Sequence, residues 1–158
     1  MFPESLKIPK RLKQVTLWVH PEGRVLGCLF LRPQSANMAG EEEPLEVLNH
    51  SDPFLVLKRE DPDELRFYHK ASVIWVEYDE DRTMPFPPAL FPNVEPLSCV
   101  LHMMDGSLIE GSIRKPLPPD RARLFDYLNI KDERFVKVHC EDGGVYLVNK
   151  SYIVCVTT

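Results

Sequence analysis

Apolar and polar residues broadly alternate through VTLWVHPEGRVLGCLFL, Val15 to Leu31, on either side of a turn cluster at Pro21, Glu22 and Gly23. A two-residue period around a turn cluster predicts a β-hairpin. The pattern returns in CVLHMMDGSLIEGSI, Cys99 to Ile113, with Asp105-Gly106 at the turn. Each hairpin carries a glycine inside its second strand, Gly27 and Gly111. Glycine inside a strand marks a sharp bend, as a small barrel requires where one strand serves two sheets.

The recurrence continues beyond the hairpins. LEVLNHSDPFLVLK (Leu45 to Lys58) is answered by FDYLNIKDERFVKV (Phe125 to Val138), and LRFYHKASVIWVEY (Leu65 to Tyr78) by VYLVNKSYIVCVTT (Val145 to Thr158). In the closing strands Ser72 is matched with Ser151 and Ile74 with Ile153. Glu46 and Asn49, and their counterparts Asp126 and Asn129, are read as turn formers bonding nearby backbone groups, with the intervening apolar residues plugging a barrel end. The connections RPQSANMAGEEEP and RKPLPPDRAR are loop-like in both copies. Between the copies lies MPFPPALFPNVEP, Met84 to Pro96, whose five prolines in thirteen residues keep it out of a strand ladder and make it a semi-rigid linker. The expected organisation is all-β: an N-terminal arm over 1–14, a five-stranded barrel over 15–83, the linker over 84–96 and a second five-stranded barrel over 97–158.

Bent strands, a G-x-x-x-G hairpin, an acidic-apolar-Asn phrase and a closing apolar hairpin together resemble the Sm-like (Lsm) fold, an SH3-like small barrel. The resemblance covers about two thirds of each copy. It implies assembly through the last strands and single-stranded RNA binding at an acidic and Asn loop. Carried onto this chain, that loop is Asp126 and Asn129 with Tyr127 as a stacking group, and Glu46 with Asn49 in the first copy. Here the acidic residue and Asn stand three apart where the family phrase usually separates them by four, and HKAS and NKSY replace the family's basic-Gly pair.

Charge argues further against RNA. Residues 1–94 carry 11 basic and 15 acidic side chains and residues 95–158 carry 8 and 9, giving a net charge of −5. Phosphate-backbone affinity comes chiefly from a Lys and Arg excess, which neither half has. The basic cluster Lys7, Lys10, Arg11 and Lys13 reads as a solvated extension. The hydrophobic fraction of 44% with 27% charge fits a globular chain, and no run of 18 apolar residues spans a bilayer. Without an apolar stretch after the basic N-terminal residues, a cytoplasmic location is the default expectation.

Candidate chemistry is sparse. Cys28, Cys99, Cys140 and Cys155 form no CxxC pair and read as small core hydrophobes. Cys99 and His102 make a C-x-x-H, but three positions apart on a strand they face opposite ways, so no metal site is expected. The chain lacks G-x-S-x-G, H-E-x-x-H, P-loop and G-x-G-x-x-G motifs, and Glu41, Glu42 and Glu43 read as a solvated loop run rather than a placed acid–base pair. No catalysis and no cofactor are expected, and a small hydrolase ranks third.

One feature remains. The closing strands are apolar on both faces: Ile74 and Val76 are expected inward with Val73 and Trp75 outward, and Ile153 and Cys155 inward with Tyr152 and Val154 outward. Small antiparallel barrels normally keep one polar face, so something should cover these strands. The cover is either the sister barrel and linker or another molecule. The sequence therefore points to a non-catalytic interaction or assembly module with a protein partner or a homo-oligomeric state, and its candidate surface is Val73, Trp75, Tyr152 and Val154.

Overall fold

Alternation does produce strands. In the computed structural model, which describes residues 11–33, 42–80, 96–115 and 123–158, the chain is all-β with ten antiparallel strands and little helix. Lys7, Lys10 and Glu41, the linker up to residue 95, and the middle of both long connections lie outside the described residues. The chain divides into two units, Met1–Val73 and Ile74–Thr158.

The first unit runs β1 (Arg11–Val19), β2 (Gly23–Leu31), a short helix α1 (Pro44–Asn49), β3 (Phe54–Arg59) and β4 (Leu65–His69), with strand order β1-β2-β3-β4. β1 thus begins inside the expected arm, and Arg11 and Lys13 are strand residues. The cause is the β1 to β2 pairing, which extends to Arg11 opposite Leu31. Val15, Leu17, Val25, Leu29, Leu55 and Leu57 form the unit's core, as strand alternation dictates.

A 3-10 turn, Lys70–Ser72, leads into β5 (Val73–Asp79). The second unit continues with β6 (Leu97–Met103), β7 (Leu108–Ile113), helix α2 (Leu124–Leu128), β8 (Phe135–His139), β9 (Gly144–Asn149), a 3-10 turn Lys150–Tyr152 and β10 (Ile153–Thr157). Its strand order is β10-β6-β7-β8-β9-β5. β10 returns to β6, and β5 pairs antiparallel with β9.

Gly27 and Gly111 sit at matching places, opposite Val15 and Cys99 in their hairpins. A Cβ on Gly27 would stand 2.6 Å from the Lys58 carbonyl oxygen, and one on Gly111 2.4 Å from that of His139. The third strand of each set presses so closely on the second that a side chain there has no room.

Three sequence expectations are corrected. The LEVLN and FDYLN phrases form one-turn helices rather than turns, because the acidic residue reaches back three positions and takes an amide at the helix start. The Glu46 carboxylate accepts from the Glu43 amide at 3.3 Å and Asp126 from the Arg123 amide at 3.3 Å. Asn129 donates to the Phe125 carbonyl at 2.7 Å, a helical spacing. Secondly, the closing strands align one residue differently. The His69 ring accepts from the Ala71 amide and the Asn149 side chain from the Ser151 amide, so Ala71 matches Ser151 and Val73 matches Ile153. Val73 and Trp75, expected outward, are buried, while of the two residues expected inward Val76 is buried and Ile74 only half so, so β5 is covered on both faces at Trp75 and Val76. Thirdly, of the four cysteines only Cys99 is in the core, while Cys28 and Cys140 are half-buried and Cys155 is exposed.

Candidate functional site

Glu42 was expected in a solvated run and is instead buried. Its carboxylate accepts from the Arg32 amide at 3.1 Å and bonds the His50 ring at 3.2 Å, so it staples the entry of α1 to the end of β2. Two lysines play parallel parts. Lys70 Nζ donates to the His50 carbonyl at 2.9 Å and Lys150 Nζ to the Ile130 carbonyl at 3.0 Å, each satisfying the backbone just after a short helix. Burial holds the Lys150 ammonium below its usual range, with Glu133 pulling the other way. These groups are occupied in holding the fold.

The acidic and Asn loop is occupied too. Tyr127 is buried, and its hydroxyl accepts from the Lys137 amide at 3.3 Å. Burial pushes its phenol up to about 12. A buried ring offers no face to a base, whereas stacking recognition needs an open one. Asp126 is held by the Arg123 guanidinium at 3.0 Å, Glu46 and Asn129 make the helix bonds described above, and Asn49 closes α1. Cys99 is buried on β6, while His102, facing the other way, bonds the Thr157 hydroxyl at 3.0 Å. Among the described residues no group of three His, Cys, Asp or Glu side chains is placed to hold a metal.

The candidate surface on the closing strands divides. Val73 is buried, and Trp75 is 9% exposed. The Trp75 indole donates to Glu77 at 2.7 Å and meets the Tyr146 ring edge-on, with centroids 6.4 Å apart. Its neighbour on this side is therefore β9 of the same unit. Tyr152 is half-buried, and Val154 is 65% exposed.

Two strands have a single neighbour among the described residues: β4 bonds to β3, and β10 to β6. β4 shows Leu65 at 60% and Phe67 at 68% exposure, beside Phe54 and Val56 of β3. Sequence reasoning missed this patch. Its only signal was that Leu65 and Phe67 share one face of LRFYH with nothing polar between them on that face. β4 leads from this face to an ion-pair group on the other, where Arg59 contacts Glu22 at 2.5 Å and donates to the Tyr68 hydroxyl at 2.8 Å.

Compared with protein-family models, with curated proteins and with solved structures, the chain matches none. Among the described residues no helix is long and apolar enough to cross a membrane.

Proposed function

We propose that the chain is a non-catalytic protein-interaction or assembly module of the cytoplasm, built as two tandem SH3-like or Sm-like five-stranded barrels joined by the Pro-rich linker. The return of β10 to β6 supports the barrel reading of the second five strands, and the matching glycines, 3-10 turns and lysine-to-carbonyl bonds support the repeat. The observation that carries the functional reading is the apolar pair Leu65 and Phe67 on a strand with one neighbour among the described residues. Burying such a side chain fully is worth about 1.5–3 kcal/mol, and an apolar edge strand left open invites another chain to pair with it. A function that covers β4 accounts for both.

Nucleic acid is the competing class, and the reading is tested against it by titrating mixed-sequence single-stranded RNA at rising salt. The module should show no saturable binding at physiological ionic strength. Binding whose logarithm falls linearly with log salt would be phosphate-driven and would overturn the reading.

A further inference from the structure

The core residues of β1 to β4 point to one side of the sheet, so the strand period sends the residues between them to the other. That second face is apolar as well. Six of the ten large apolar side chains exposed among the described residues lie on it: Leu12, Leu26, Phe54, Val56, Leu65 and Phe67, between 37% and 68% exposed. Strand pairing makes them one surface. Leu12 stands opposite Phe30 and Thr16 opposite Leu26, while Val56 stands opposite Phe67 and Lys58 opposite Leu65. Cys28, opposite Lys58, joins the β1-β2 part of the face to the β3-β4 part.

Single apolar residues on a surface are ordinary, but a connected patch of this extent marks a place of contact. At ordinary side-chain areas the six leave about 400–500 Å² of apolar surface in water. A standard interface takes about 800 Å² from each partner, roughly 60% of it apolar, so the face holds what one such contact needs. Its charges are of both signs, since Lys58, Glu60 and Asp63 share a hollow with Leu12 and Cys28. No single-sign field therefore keeps two such faces apart. We propose that this face of the first unit is covered by the same face of a second copy of the chain, giving a twofold dimer. This rests on the interaction-module reading and names its partner. The contact lies between sheet faces, and the strand edges take no part in it. A twofold contact uses the same patch on both chains and is then closed, so assembly stops at two. Phe54 and Phe67 supply the largest areas and are its anchors.

The test uses the full chain. By sedimentation across a wide concentration range the wild type should pass from one chain to two and stop there. Phe67→Lys on β4 and Leu12→Lys on β1, at the two ends of the β1-β2-β3-β4 order, should each weaken the dimer by about a hundredfold or more, because a lysine would be buried without a partner. Both side chains are exposed in a single copy, so melting of the monomer should barely move. Mixing the two variants should not restore the dimer, since a twofold contact puts both lysines in the one shared interface. Val154→Lys on β10 and Phe125→Lys on α2 add the same charge at exposed positions elsewhere and should leave the dimer intact. Thiol labelling of the wild type, read by mass spectrometry, is an independent measure: Cys28 on the face should be labelled more slowly as concentration rises, while exposed Cys155 on β10 keeps its rate. A wild type that stays monomeric overturns the proposal. So does a dimer that neither Phe67→Lys nor Leu12→Lys weakens, one that Val154→Lys or Phe125→Lys abolishes, or protection of Cys155 in place of Cys28. Failure here leaves the RNA titration unchanged, and RNA binding would sink the broader reading whatever the sedimentation shows.

Discussion

Replacing Gly111 by alanine tests the close strand contact that shapes the second unit. The added methyl would stand 2.4 Å from the His139 carbonyl oxygen and 2.7 Å from Val138 Cγ1, about 1 Å short of ordinary contact at 3.4 Å. The obstacle is a strand carbonyl, which moves only if β7 and β8 separate where Ser112 faces His139. Overpacking of this kind costs about 1–3 kcal/mol, and the 2.4 Å approach places Gly111→Ala near the upper end. Alanine returns about 0.4–1 kcal/mol by stiffening the unfolded chain, leaving a net loss of about 2 kcal/mol. For a unit of this size that is a fall of about 10 °C in melting temperature. Gly27→Ala should lose less, about 1–1.5 kcal/mol, since its nearest atom is at 2.6 Å. Gly144→Ala is the control: the nearest atom is a carboxylate oxygen of Asp142 at 3.0 Å, the end of a flexible side chain. Thermal and urea melts followed by circular dichroism read all three. A Gly111→Ala protein that melts with the wild type, or that outlasts Gly144→Ala, refutes the argument.

Trp75→Ala should destabilise by about 3–5 kcal/mol, and a double-mutant cycle with Tyr146→Ala should show coupling of about 1 kcal/mol; additive effects would mean that Tyr146 is not its cover. Asn149→Ala removes the side-chain acceptor of the Ser151 amide at a fully buried position and should cost about 1–2 kcal/mol by urea melts; an unchanged midpoint would contradict the cap. Tyr127 has its phenol raised in the folded state to about 12. Its contribution is whole below the unfolded value near 10 and is lost as pH rises through the folded one, up to about 3 kcal/mol. Tyr127→Phe should flatten that alkaline decline, and an identical decline in both proteins would assign it to other groups.

Much of the local structure was legible in the residues. Two-residue alternation placed both hairpins, Pro21-Glu22-Gly23 and Asp105-Gly106 placed their turns, and the isolated glycine in each second strand, read as a sharp bend, lies where the third strand comes too close for a side chain. These signals are short-range: a strand period, a turn residue and a missing Cβ act within a few positions of the chain. The closing strands were equally visible as apolar on both faces, which is why a cover was expected at all. The candidate surface was legible only in part, because its four members were chosen by face, and β5 is buried on both faces at Trp75 and Val76.

What the sequence determined alone was therefore where the strands of both hairpins and their turns fall, while the LEVLN and FDYLN segments, expected as turns, are short helices. Only the tertiary structure decided which strands lie side by side. β5 and β10 are alike in composition, yet Trp75 is covered by Tyr146 while Cys155 and Val154 face solvent. Leu65 and Phe67 are as apolar as Val145 and Leu147, yet they are exposed. Glu42 sits in a run of three acidic residues, yet its carboxylate is buried between Arg32 and His50. The reason is common to all three: burial is a property of the neighbours the fold brings, and a residue's own polarity does not say whether that neighbour is there.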